Sequence, residues 1–261
     1  MASSEDTARY GKIKFGFHGG YLFPALTTKE WIDDVIANFK PRDTDIFVCS
    51  FPKSGTNWLC HIIAILKTGK PLDGPLEKQN TDLDIPQLEE LTEDVVTKFG
   101  EYSKRLPIIS EVESLPSPRL FSTHRPHEYL PINPSAKYLY VYRNPKDILV
   151  SAYHHFTRMN MLNYEGTFEQ FFNLFVDTDG IGYFKHIKGY IQHKEESNLL
   201  IISYEELKAE FKQRVEELSH FLGLPFNEEI YDTIVKETDF EAMRTNELTN
   251  RSSMMREGLI F

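Results

Sequence analysis

Three short segments of this 261-residue chain carry residue types suited to gripping anions. The first, Phe51-Pro52-Lys53-Ser54-Gly55-Thr56-Asn57-Trp58, follows an apolar run and leads into a helical pattern. A strand-to-helix turn carrying Gly55 leaves backbone N–H groups unpaired at the positive end of a helix dipole. Lys53 adds a full charge, Ser54 and Thr56 add hydroxyl donors, and phosphate is the usual occupant of such a cradle. The second segment, Arg143-Asn144-Pro145-Lys146-Asp147 with Ser151, closes another apolar run and opens a helix. Asn144 reads as its N-cap, Pro145 takes the first helical position, and Ser151 lies two turns on, close to the face of Asn144 and Ile148. A guanidinium holds a phosphate through two parallel donors, and a nearby hydroxyl completes the set. The third, Thr123-His124-Arg125-Pro126, puts a histidine just after a third apolar run.

The first loop is not that of the nucleoside triphosphatases. No glycine opens it, its lysine precedes Ser-Gly-Thr, and no strand ends in a well-placed metal-binding aspartate. Trp58 is either a core residue or a flat surface on which a purine stacks.

The elements that position these segments are legible as short strands and amphipathic helices. Asp45–Ser50, Arg119–Thr123, Lys137–Arg143 and Leu199–Tyr204 are apolar at nearly every position, as expected of strands covered on both faces. Helices are expected at Thr28–Phe39, Thr56–Lys67, Asn144–Met159, Phe168–Val176, Tyr183–Lys194, Lys212–Leu222 and Glu228–Lys236. Gly69 and Gly223 stand as C-terminal stops, and Asn227 as an N-cap. Lys70–Pro86, with its prolines and Gly74, reads as a surface excursion. Alternating strands and helices imply an α/β fold around a mainly parallel sheet, and residues 1–261 are expected to form a single domain. In such folds ligands bind at the carboxyl ends of the strands, which is where Lys53, His124 and Arg143 fall.

Composition narrows the function. Thirty-nine acidic against 29 basic residues give a formal charge of −10, which argues against a general nucleic-acid binder. Two cysteines, Cys49 and Cys60, make no disulfide framework and are expected as buried thiols. No signal-like segment and no long apolar run occurs, so a cytoplasmic protein without a membrane span is expected. His154 and His155 are adjacent and point to different helix faces, and no metal-ligand spacing stands out.

Lys53-Ser54-Gly55-Thr56-Asn57-Trp58 and Tyr142-Arg143-Asn144-Pro145-Lys146-Asp147 with Ser151 resemble the two donor-binding signatures of the cytosolic sulfotransferase family. The likeness extends from about Tyr10 to Met243. It implies a P-loop-like sulfotransferase fold that uses 3′-phosphoadenosine 5′-phosphosulfate (PAPS) as co-substrate, with no metal. The acceptor would be a hydroxyl or amine on a small apolar molecule such as a phenol, steroid or alcohol. By the same resemblance the first loop holds the 5′-phosphosulfate and Arg143 with Ser151 the 3′-phosphate, while His124 is the general base and Lys53 steadies the leaving group. Tyr204 would contact the adenine, Thr238 and Met243 the adenosine, and Phe240 would close on the purine opposite Trp58. Gly16–Pro24 and Tyr153–Phe175 resemble acceptor-pocket regions.

The chain departs from the family in places. Asn57 replaces a commoner threonine, and Ser122 stands where many members carry lysine. In Met254-Met255-Arg256-Glu257-Gly258-Leu259-Ile260-Phe261, Arg256-Glu257-Gly258 is either a degenerate version of the family's Arg-Lys-Gly turn or, the favoured reading, the sequence stops before that turn and its Gly-Asp-Trp segment, which would leave a homodimer without its usual segment. These departures leave a nucleotide-binding pseudoenzyme as the alternative. A small-molecule kinase is disfavoured by the missing triphosphatase signatures.

Overall fold

The structure, a computed structural model, describes residues 8–12, 15–18, 21–24, 29–71, 85–90, 109–158, 164–177 and 182–246. Strands β1 (Phe15–His18) and β2 (Tyr21–Pro24) pair as an antiparallel hairpin that the sequence pattern did not announce. The central sheet consists of β3 (Ile46–Ser50), β4 (Leu120–Thr123), β5 (Lys137–Tyr142) and β6 (Leu199–Ser203). All its pairings are parallel, and the strand order is β4-β3-β5-β6.

Side chains alternate across this sheet, and both faces are covered. Ile46, Val48, Leu139 and Val141 pack with Leu59, Ile62, Ile63 and Leu66 of α2 (Thr56–Thr68). The opposite face carries Phe47, Cys49, Tyr138 and Tyr140, covered by Val35 and Phe39 from the region of α1 (Lys29–Asn38). On that same side lie Ile109 and Val112 of α3 (Ile109–Ser114). A third cluster joins α4 (Pro145–Arg158), α5 (Phe168–Val176) and α6 (Tyr183–Ile191) around Phe51. Double coverage is why β3 is apolar from Ile46 to Cys49. The remaining helices are α7 (Tyr204–Ala209), α8 (Phe211–Leu222), α9 (Glu228–Glu237) and α10 (Phe240–Thr245).

The expected elements are present with shifted ends. β5 stops at Tyr142, so Arg143 is the first residue beyond the strand and not its last. Tyr204 belongs to no strand: Ser203 caps a new helix through its side chain, and Tyr204 is the first residue of α7. Helix α6 ends at Ile191, earlier than its apolar pattern suggests, because residues 192–195 continue as turns. Gly69 and Gly223 both take left-handed conformations at the ends of α2 and α8, and Asn227 caps α9 by accepting from Ile230 N at 2.8 Å. Most of the Lys70–Pro86 excursion, the side chains of Gly16–Pro24 and the residues after Asn246 lie outside the described residues. Among the described residues, no helix is long and apolar enough to cross a membrane. Cys49 and Cys60 are free and buried.

At the amino end of the sheet a buried ion pair ties strands and helices together. Asp45 and Arg119 are both fully enclosed, with Nε donating to Oδ1 at 2.9 Å. Arg119 also donates to the Lys40 carbonyl at 3.1 Å, and its guanidinium lies over the rings of Phe39 and Phe121. Removing one partner strands a charge without water. Asp45→Ala is therefore expected to lower unfolding free energy by about 3–5 kcal/mol, measured by urea denaturation. A loss below about 1 kcal/mol would show that water reaches Arg119.

Candidate active site

The parallel registers bring the strand ends together. Ser50 pairs with Val141, Cys49 with Thr123, and Tyr142 with Ser203. The Phe51 loop, His124, Arg143 and Tyr204 therefore all emerge along one edge. The chain leaves β3 toward β4 on one side and leaves β5 toward β6 on the other, so the crevice between β3 and β5 is a topological switch point. A cleft of about 780 Å³ opens there, ample for a nucleotide-sized ligand.

Local geometry shapes the loop. Lys53 holds φ 72°, a left-handed conformation rare for a residue with a side chain, and Gly55 holds φ 105°. Backbone outliers of this kind persist where surrounding structure holds them, commonly in ligand clamps. Gly55 is also pressed by its neighbour, since a Cβ there would lie 2.6 Å from Tyr204 Cδ2. Ser54 is fully buried and its Oγ has no hydrogen-bond partner. Across the crevice Arg143 Nε is likewise buried and unpartnered. Arg143 Nη1 reaches the Lys53 carbonyl at 3.5 Å, and its guanidinium lies 4.6 Å from the Tyr204 ring centroid. Buried donors are normally satisfied. Arg143 Nε in the cleft wall, with Ser54 Oγ behind the loop and a positive helix end beside it, supplies donors of the kind that an anion with several oxygens requires.

Of the residues singled out from sequence, Lys53, Gly55, Thr56, Asn57, Trp58, His124, Arg143 and Ser151 line this cleft. Tyr204, Thr238, Phe240 and Met243 line it too. Ser54 lies behind the lining. Trp58 is already packed flat on Phe211 at 5.6 Å, and Tyr204 meets it edge-on at 5.2 Å. Phe240 stands 75% exposed as the first residue of α10. The cleft also takes His155, Lys208 and Arg244, which sequence reasoning did not single out. His155 is one helical turn beyond Ser151, so the helix period was the signal that could have found it. Lys208 and Arg244 carry no comparable signal.

His124 is held from several sides. Its Nδ1 lies 2.9 Å from the Ser50 carbonyl and 3.2 Å from Ser50 Oγ, which is in turn 2.6 Å from Thr56 Oγ1. A carbonyl only accepts, so Nδ1 carries a proton, and in the neutral ring the lone pair lies on Nε2. Buried Glu89 accepts from the His124 N–H at 2.7 Å and from Thr123 Oγ1 at 2.6 Å. His186 Nε2 donates to the His124 carbonyl at 3.0 Å, while Tyr140 O–H donates to His186 Nδ1 at 2.9 Å. Tyr190 O–H donates to the Arg125 carbonyl at 2.7 Å. Glu89, His186 and Tyr190 were invisible in the sequence because each meets this segment only through tertiary folding.

Gly55→Ala is expected to cost about 1–3 kcal/mol through backbone strain and displacement of Tyr204, read by urea denaturation. Wild-type stability in that variant would show the loop to be free to relax. A second expectation concerns acid. Burial pushes the His186 imidazole down to about 3, so the fold keeps it neutral. The unfolded chain takes up this proton near pH ~6.5, so the contribution is intact above that value and is lost as pH falls toward about 3. Burial lowers His61 and His127 as well, in the same sense. Unfolding free energy should fall by up to ~1.4 kcal/mol per pH unit for His186 alone, and His186→Gln should flatten that slope. An unchanged slope in the variant would place the proton uptake elsewhere.

Comparison with known proteins bears on the same edge of the sheet. The sulfotransferase domain family model matches residues 43–260. Human sulfotransferase 1C2 is 34% identical over 263 residues, covering 97% of this chain and 82% of that protein. Rabbit (Oryctolagus cuniculus) amine sulfotransferase is 35% identical over 220 residues, covering 82% of this chain and 66% of that one. Among solved structures, mouse sulfotransferase SULT7A1 complexed with PAP superimposes with a TM-score of 0.68 at 29% identity, covering 89% of this chain and 77% of that one. With the parallel sheet, its phosphate-type loop and this extent of matching, the chain belongs to the sulfotransferase family.

Proposed function

We propose that this chain is a single-domain, cytoplasmic enzyme that transfers a sulfuryl group from PAPS to a hydroxyl or amine of a small apolar acceptor. The observation that carries the reading is Arg143, with a buried, unpartnered Nε, lining the crevice at the switch point of the sheet opposite the Lys53–Trp58 loop, with unpartnered Ser54 Oγ buried behind that loop. PAP in the solved mouse relative supports a 3′-phosphoadenosine ligand here, and the rabbit relative's name supports an amine among the acceptors. Two buried free thiols fit a reducing compartment. When bound, PAPS supplies an activated sulfuryl group on its 5′-phosphate.

The residues divide the work. Backbone N–H groups of the 53–56 loop, with Ser54 and Thr56, hold the 5′-phosphosulfate, and Asn57 extends the donor set. Arg143 and Ser151 hold the 3′-phosphate, while Tyr204, Thr238, Phe240 and Met243 enclose the nucleoside with Trp58. His124 Nε2 takes the acceptor proton as the acceptor oxygen or nitrogen bonds to sulfur and the bridging S–O bond breaks. Lys53 neutralises the charge that collects on the departing 5′-phosphate. Anchoring of His124 at its ring, N–H and carbonyl fixes the direction of that lone pair, so less ordering remains for the reaction itself. Ser122 is buried, 9% exposed, and brings no second cation to this edge.

Purified full-length chain incubated with radiolabelled PAPS and a panel of phenols, alcohols and amines should yield labelled product. His124→Ala should cut the rate by about 10²–10⁴-fold while leaving adenosine 3′,5′-bisphosphate binding intact, and Lys53→Ala should cost about 10²–10³-fold. Intact transfer in His124→Ala would remove that residue as base. Donor binding without any turnover would make the chain a nucleotide-binding pseudoenzyme.

A further inference from the structure

Outside the cleft, a second cluster of chemistry-bearing side chains converges from two elements. His127 opens the 3-10 turn His127–Tyr129, directly after the 123–126 segment. His193 and Glu196 follow α6, in turns closed by His193 N to Tyr190 O and Glu196 N to His193 O, each at 3.0 Å. The two imidazoles stack with centroids 3.7 Å apart and planes 16° from parallel, and His193 Nδ1 is 2.6 Å from Glu196 Oε1. One ligand atom from each of the three lies within 4.8 Å of the others. An ion bound at ~2.1 Å in tetrahedral geometry sets its ligands ~3.4 Å apart, so loading asks the widest ligand separation to close by up to about 1.4 Å, the rings to splay and the 2.6 Å His193–Glu196 hydrogen bond to open. The 66-residue separation of His127 and His193 hid the grouping from any reading of local spacing.

The geometry points to a binding site for a divalent transition-metal ion of the zinc class, formed by His127, His193 and Glu196 with water completing the shell. Two imidazoles and one carboxylate suit zinc, nickel, cobalt or copper and discriminate against magnesium and calcium, which take oxygen ligands. The site is structural and takes no part in group transfer. Its position gives it a mechanical consequence. Tyr190 and His186 of α6 hold the carbonyls of Arg125 and His124, and the ion would clamp His127, two residues beyond Arg125, to the turn that ends the same helix. Occupancy therefore stiffens the strap that carries His124.

The test is a thermal-unfolding series on tag-free, chelator-treated full chain with Zn²⁺ or Co²⁺, and with Mg²⁺ as control. Zn²⁺ at about 100-fold over its Kd should raise Tm by roughly 5 °C, and Mg²⁺ should not. Co²⁺ should develop the visible bands of a low-coordinate nitrogen–oxygen site. His193→Ala and Glu196→Gln change partly exposed side chains, and both should abolish the Zn²⁺ shift and the Co²⁺ spectrum while leaving the metal-free Tm near wild type. No Zn²⁺-specific shift, or a shift that survives in either variant, overturns the assignment. Because the readouts are Tm and absorbance, failure here leaves the sulfotransferase reading untouched.

Discussion

Parallel hydrogen-bonded ladders place Ser50 beside Val141 and Cys49 beside Thr123, and the positions of the residues proposed to act follow from that register. A parallel pair offers both carboxyl ends at one edge, so the loop after β3, the histidine after β4 and the arginine after β5 are neighbours without further arrangement. A slip of one residue would turn Phe47 and Cys49 toward α2 and Ile46 and Val48 toward α1, reversing both buried faces together. The dense apolar packing on each side therefore sets the site as well as the fold.

The two ends of the sheet differ in how their polar groups are treated. At the amino end Asp45 and Arg119 satisfy each other in full enclosure. At the carboxyl end Ser54 Oγ and Arg143 Nε are buried without partners, and Lys53 holds a strained left-handed backbone angle. Glu89 Oε2 and two nitrogens of Arg125 lie unpartnered beneath His124. Unmet hydrogen-bonding capacity costs stability, ~1–3 kcal/mol per group, and of these groups Arg143 is the one that lines the cleft.

Much of this is legible in the sequence. Nearly continuous apolar runs at 45–50 and 199–204 point to buried parallel strands, and Gly55 after Lys53 points to a strand-to-helix turn, because both signals are local. Strand ends were less legible: Arg143 and Tyr204 continue a chemically similar run, and only the capping geometry of Ser203 and the next helix stops it. Wholly illegible were the supports of His124. Glu89 comes from residues that carry no periodic pattern, and His186 and Tyr190 read as one stripe of an ordinary helix. Their roles arise from contacts across 35 to 65 residues of sequence. Trp58 was open between core and ligand contact, and it touches both, packed on Phe211 while lining the cleft.

The central claim is that this edge recognises an adenosine carrying phosphate at both the 3′ and 5′ positions. Calorimetric titration of the full chain with adenosine 3′,5′-bisphosphate, adenosine 5′-phosphate and ATP addresses it directly. One set of charge-assisted contacts from Arg143 and Ser151 should make the bisphosphate bind at least ~10-fold more tightly than either of the others. Equal affinities, or tighter binding of ATP, would contradict the assignment of Arg143 and Ser151 to a 3′-phosphate.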